Sequence, residues 1–165
     1  MRIVLIGFMG SGKTTVAKLL AKKLRLKTID MDDLALKKSG RKSINEIFEK
    51  DGEQKFRKIE YEVAKDISNE DKVVISTGGG VVMDKSTMNY LTKNSSVVYL
   101  KTGFDKIKKQ VMLKKIRPPL FKSIVSAKKL LQAREPLYEN FANIVITTDN
   151  KSVRSIVKEI IYGRK

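Results

Sequence analysis

Residues 7–15, Gly7-Phe8-Met9-Gly10-Ser11-Gly12-Lys13-Thr14-Thr15, constrain this chain more than any other stretch. Before them runs Arg2-Ile3-Val4-Leu5-Ile6, an apolar, β-branched run of the kind that forms a buried parallel strand. After them Val16, Leu19, Leu20 and Leu24 fall on one face of a helix. The tract itself matches G-x-x-x-x-G-K-[ST], a loop that wraps phosphate. Its glycines let successive N–H groups turn inward, and the helix start adds unpaired donors and a positive dipole end. Gly10, Ser11, Gly12, Lys13, Thr14 and Thr15 are therefore the expected ATP-binding set. Lys13 is placed to reach the β- and γ-phosphates and Thr14 to ligate Mg²⁺. The plainer reading, a glycine-rich turn that binds nothing, leaves the order strand, loop, helix unexplained.

The rest of the composition narrows the chemistry. Neither cysteine nor histidine occurs among the 165 residues, which removes disulfides, thiol nucleophiles, zinc sites and the usual general base. No apolar run approaches the ~18 residues of a membrane span, and the N-terminus reads as a core strand rather than a signal peptide. The expectations are a single domain over 1–165, no membrane partner and a cytoplasmic location. The formal charge of +17 invites a nucleic-acid reading. The lysines, however, are spread over nearly every expected helix and form no stripe, so a solvated surface is the better account and no nucleic-acid partner is expected. Arginine occurs at only eight positions, so its placement is the more informative.

Along the chain, Leu26 to Asp33 reads as a second strand ending in carboxylates. Alternation would put Asp30 and Asp32 on one face, with Asp33 opening the next helix. Two like charges there call for a cation or a donor between them, unless one is simply a helix cap. Ser43–Glu49 reads as a capped helix and Glu53 to about Ser68 as a longer one. On the latter, Arg57 and Glu60 share a face, an arrangement that by spacing alone is usually surface decoration. Lys72–Ser76 is the third strand, and Thr77-Gly78-Gly79-Gly80 follows at its carboxyl end, where open α/β sheets bind ligands. A bare turn before the helix Lys85–Leu91 is the alternative. Further strands are expected at Ser96–Leu100 and Asn143–Thr147, and helices at Gly103–Lys115, from about Ala127, and at Val153–Tyr162. Pro136 would kink or shorten the second of these. Arg117-Pro118-Pro119-Leu120 breaks the helical pattern over 116–126, which suits either a lid over phosphates or an ordinary proline loop. The class is α/β, three layers α/β/α with a five-stranded parallel sheet, the phosphate loop after strand 1, a helical acceptor-binding insert at about 31–60 and a mobile lid at about 111–125.

Taken together, the phosphate loop, Asp30-Met31-Asp32, Gly40-Arg41-Lys42-Ser43-Ile44, Asp51 to Glu60, Thr77 to Gly80, Arg117 to Leu120 and Arg134-Glu135-Pro136-Leu137-Tyr138 resemble the shikimate kinases. The resemblance runs from Arg2 to about Ile161. It implies an ATP-dependent kinase with a nucleoside-monophosphate-kinase-like fold that phosphorylates the 3-hydroxyl of shikimate on the route to chorismate and the aromatic amino acids. It further implies that Lys13, Asp32 and Arg117 are catalytic, and that Asp32 holds the acceptor diol. Arg57 and Arg134 would clamp the acceptor carboxylate, and the Gly78–Gly80 backbone would meet the ring. Arg117 would close onto the phosphates, Lys151 would touch the adenine edge, and Thr14, with Asp30 through water, would serve Mg²⁺. A monomer is the usual state of such enzymes.

Two departures stand out: Gln110 occupies a place where many members carry an arginine beside adenine, and Pro119 makes the lid tract Arg-Pro-Pro-Leu. The rival readings are a kinase for another small anionic acceptor, such as gluconate or a nucleoside monophosphate, and a basic module that binds nucleic acid.

Overall fold

The computed structural model describes residues 1–113 and 118–163. Its strands are β1 (Arg2–Ile6), β2 (Lys27–Asp30), β3 (Val73–Ser76), β4 (Ser96–Lys101) and β5 (Ile144–Thr147). They form one parallel sheet in the order β2-β3-β1-β4-β5, with β1 at the centre. Helices α1 (Lys13–Leu24), α2 (Met31–Ser39), α3 (Ile44–Lys50), α4 (Gly52–Asp66), α5 (Lys85–Thr92), α6 (Phe104–Leu113), α7 (Ile124–Phe141) and α8 (Val153–Tyr162) make the connections. The expected three-layer α/β architecture is therefore what the chain adopts.

The unbroken apolar run in β1 follows from its central position. Side chains alternate between the faces of a strand, so both faces need apolar residues when both are covered. Val4 and Ile6 join a core with Phe56, Ile59, Ile75, Tyr99 and Tyr138. Ile3 and Leu5 join the opposite core with Val16, Leu20, Val98 and Ile156. At the foot of the strand Arg2 is only 4% exposed. Its Nη1 donates to the carbonyls of Tyr90 at 3.1 Å and Lys93 at 3.0 Å, and its Nη2 to that of Ile67 at 3.3 Å. One guanidinium thus ties together carbonyls at the ends of α4 and α5, two of which, Ile67 and Lys93, also accept from the Glu70 N–H and Ser95 Oγ.

Three boundaries differ from the sequence pattern. The second strand stops at Asp30, because the Asp30 carboxylate accepts from the backbone N–H of Asp32 and caps α2. Asp32 consequently lies in the first helical turn and does not share a strand face with Asp30, and Asp33 does not open the helix. Helix α7 begins at Ile124, inside the segment expected to be non-helical, since Ser123 and Ser126 form a reciprocal cap. Pro136 does not shorten α7, which continues five residues beyond it. Pro118 and Phe121 close a turn, with the Phe121 N–H donating to the Pro118 carbonyl at 2.8 Å.

Candidate active site

The carboxyl ends of β1, β2 and β3 open into a cleft of about 620 Å³. Met9, Gly10, Gly12, Lys13, Thr14 and Thr15 form its phosphate side, with Ser11 buried behind them, and Asp32, Arg57, Gly78–Gly80 and Arg134 its far side. Leu36, Ile44, Phe48, Phe56, Val111 and the Pro118–Leu120 turn supply apolar walls. Every acceptor-side residue expected from the sequence is thus in one cleft with the phosphate loop.

On the phosphate side, Gly12 is the N-cap of α1 with φ 88°, a left-handed conformation that favours glycine. No side chain caps that helix, so its first-turn donors are left for a ligand. Lys13 lies beneath the loop, its Nζ donating to the Gly7 carbonyl at 2.8 Å and the Phe8 carbonyl at 2.9 Å. The same contacts that hold the loop's curvature place the ammonium at its floor.

Beside it, strand register sets Asp30 next to Ser76. Thr14 Oγ1 donates to Asp30 Oδ2 at 2.8 Å and lies 3.3 Å from Ser76 Oγ. Two hydroxyls and a carboxylate are hard oxygen donors suited to Mg²⁺ that keeps several waters. Among the described residues no group of three or more acidic, histidine or cysteine side chains is placed to hold a metal ion. Ser76 was not singled out in the sequence. Its position at a strand end before a glycine run is the only signal that pointed there.

On the acceptor side the charges are buried. Glu60 is 3% exposed; its Oε2 accepts from Arg57 Nη1 at 2.5 Å while its Oε1 has no hydrogen-bond partner among the described residues. Burial raises its pKa to about 7, against the opposing pull of the Arg57 charge. Asp32 is raised to about 6, first by burial and then by the nearby Asp30 carboxylate, with Lys13 acting the other way. Arg57 also holds Glu53 at 2.9 Å, and these acids outweigh burial to leave its pKa above the ordinary value. A side chain on Gly80 would collide with both terminal nitrogens of Arg57, so the glycine is needed for space.

Arg134 differs from Arg57 in having no carboxylate partner among the described residues. It is 2% exposed, burial lowers its pKa, and its Nε is unpartnered. Its Nη1 donates to the Gly79 carbonyl at 3.3 Å, and its Cζ lies 5.9 Å over the Phe8 ring.

Two expected residues are not brought into this arrangement. Lys151 does not line the cleft, and its ammonium pairs with Glu159 at 2.7 Å. Arg117 lies outside the described residues. Gln110 precedes Val111 on α6 at the cleft wall.

Comparison with known proteins gives a consistent result. The sequence model of the SKI family, shikimate kinase, matches residues 9–163. A shikimate kinase of Sulfurihydrogenibium sp. (strain YO3AOP1) is 41% identical over 159 residues, covering 96% of this chain and 95% of the relative. Among solved structures, shikimate kinase from Acinetobacter baumannii in complex with shikimate superposes with a TM-score of 0.91 at 32% identity, covering 99% of this chain and 94% of that one. The shikimate kinase of Aquifex aeolicus vf5 gives a TM-score of 0.81 at 38% identity, covering 99% and 96%. With a family match over most of its length and relatives at this level of identity and coverage, the chain belongs to the shikimate kinase family.

Proposed function

We propose that this chain transfers the γ-phosphoryl group of ATP to the 3-hydroxyl of shikimate, giving shikimate 3-phosphate and ADP. The observation that carries the substrate assignment is Arg134: a buried guanidinium with no salt-bridge partner among the described residues, on the same cleft as Arg57 and Asp32. A buried cation whose charge is met only by the more distant Glu60 and Glu53 is costly, and an anionic acceptor supplies the missing contact. Two guanidiniums suit a carboxylate, which each can bond bidentately.

In this reading Arg57 and Arg134 fix the carboxylate, the backbone at Gly78–Gly80 meets the ring, and Asp32 receives the 3-hydroxyl. Asp32 orients that oxygen for in-line attack and takes its proton late, as the new P–O bond forms and the bond to the leaving ADP oxygen breaks. Lys13 and the N–H groups of residues 10–15 hold the phosphates. Mg²⁺, held by Thr14 and through water by Asp30, would neutralise phosphate charge. Arg117 belongs to the catalytic set by family resemblance alone. Lys151 reaches adenine only if it leaves Glu159. The reading also takes 1–165 as one domain, with acceptor helices at 31–60 and a lid at 111–125, acting as a monomer in the cytoplasm and without nucleic acid or membrane as partner. Among the described residues no helix is long and apolar enough to cross a membrane.

The test is ADP release with MgATP and, separately, shikimate, gluconate, AMP and CMP, with Arg134→Ala and Asp32→Asn alongside. Turnover with shikimate alone, lost or severely reduced in both variants, supports the assignment. Turnover with another acceptor discards it.

A further inference from the structure

Tyr138 is fully buried on α7, one turn beyond Arg134, and no step proposed so far uses it. Its ring stacks on Tyr99 with centroids 5.0 Å apart, and its hydroxyl donates to the carbonyl of Gly79. That carbonyl also receives Arg134 Nη1 at 3.3 Å. The flanking carbonyls are held differently: Gly78 accepts from the Val81 N–H at 3.4 Å and Gly80 from the Met83 N–H at 3.0 Å, both within the 3₁₀ turn Val81–Met83. All three peptide units of the glycine run are thereby oriented by their oxygens. The N–H groups of Gly79 and Gly80 make no hydrogen bond among the described residues, and both residues line the cleft.

We propose that the Tyr138 hydroxyl is a positioning group for the acceptor: it keeps the Gly79 carbonyl turned away from the cleft, so that the Gly80 N–H of the same peptide unit faces the acceptor, and it leaves Arg134 free to exchange that carbonyl for the acceptor's carboxylate. A buried carbonyl tolerates the loss of one donor when it retains another, but not the loss of its last. Without the Tyr138 hydroxyl, Arg134 becomes the only donor to the Gly79 carbonyl among the described residues, and each acceptor that draws it away leaves that half-buried oxygen without a protein donor. The glycine run has no slack to absorb the change, since a Cβ at Gly79 would already lie 2.8 Å from the Met9 nitrogen. Tyr138 acts on the acceptor through these groups, without touching it.

The proposal rests on the shikimate reading above, and steady-state ADP release separates the two. A native chain with no shikimate-dependent release overturns the reading itself. With release established, Tyr138→Phe is expected to raise the KM for shikimate about tenfold. The KM for MgATP should stay within about twofold, since no hydrogen bond reaches the phosphate loop from this hydroxyl. Tyr99→Phe, which removes from the same stacked pair a hydroxyl that has no hydrogen-bond partner among the described residues, is expected to change neither. In an Arg134→Lys background the Tyr138→Phe effect should shrink to less than about threefold, because the two residues act on one carbonyl. An unchanged shikimate KM, a parallel rise in both KM values, or full additivity with Arg134→Lys overturns the role of Tyr138. Replacing Tyr138 by 4-aminophenylalanine keeps a weaker donor and should give an intermediate shikimate KM. Should the phenylalanine variant not fold, a selective rise in that amine enzyme reads the same, and no rise overturns the proposal.

Discussion

Glu60 grips Arg57 at 2.5 Å through one carboxylate oxygen and leaves the other buried without a hydrogen-bond partner among the described residues. The pair is therefore not a surface ornament but an ion pair between a buried acid and a half-buried guanidinium at a cleft wall, where removing one member leaves the other uncompensated. Glu60→Gln keeps the shape and removes the charge. It is expected to raise the KM for shikimate about five- to tenfold, with kcat less affected, as measured in the ADP-release assay.

The same carboxylate makes stability depend on pH. Its pKa is about 7 in the folded chain against an ordinary 4.5, so the folded state binds the proton more tightly than the unfolded state. The stabilisation is complete below about pH 4.5 and lost as pH rises through about 7; Asp32 adds the same trend between about 3.8 and 6. Denaturant melts of the native chain at pH 5 and pH 8 should therefore differ, with Glu60 contributing at most about 3 kcal/mol of the loss. Glu60→Gln should flatten the upper part of that slope.

Asp32 sets the acid limb of catalysis. In the free enzyme it must be ionised to receive the hydroxyl proton, and its pKa of about 6 places the fall in kcat/KM for shikimate below that pH. The expected profile drops about tenfold per pH unit below the limb. Asp32→Asn should remove the limb and lower kcat by a factor on the order of 10² or more.

Asp30 offers a cleaner separation of fold from metal. Asparagine caps a helix about as well as aspartate, so Asp30→Asn should retain α2 while losing the negative charge beside Thr14. Titrating free Mg²⁺ at fixed ATP should reveal a half-saturating concentration raised by about ten- to a hundredfold, with an unchanged melting temperature.

Arg2 carries a purely structural prediction. Arg2→Met preserves apolar length but removes a donor from each of the carbonyls of Tyr90, Lys93 and Ile67, of which Lys93 keeps Ser95 Oγ and Ile67 keeps the Glu70 N–H. A loss of about 1–3 kcal/mol in denaturant melts is expected, with activity per folded molecule at 25 °C unchanged.

The five strands, their parallel sheet and the phosphate loop were legible because period-2 and period-3.6 patterns and the Gly10–Thr15 spacing report on local geometry, whereas the order β2-β3-β1-β4-β5 depends on long-range pairing. The acceptor arginines were legible only through resemblance, since Arg57 on a helix looks the same whether it meets solvent or a cleft. Asp30 misled because a carboxylate at a strand end and a helix cap share one sequence signature, and the cap won. The Ser123 cap lacked the usual acidic or amide partner three residues on, Ser126 taking that place, and so passed unnoticed. The meeting of Tyr138 with Gly79, fifty-nine positions apart, leaves no local trace at all.

The central place of β1 has a consequence for how the chain is made. Strand β1 is synthesised some seventy and ninety residues before β3 and β4, the strands it pairs with. Until β3 emerges Ile3 to Ile6 have neither of their neighbours, and until α5 is complete Arg2 lacks the carbonyls of Tyr90 and Lys93. Long-range pairing of this kind is slow, and the apolar strand stays exposed while it waits. The loop that hangs between β1 and α1 cannot take its shape earlier than the strand that carries it. Nascent chains stopped before β4 should therefore be unable to retain ATP, although every residue of the phosphate loop has already been made.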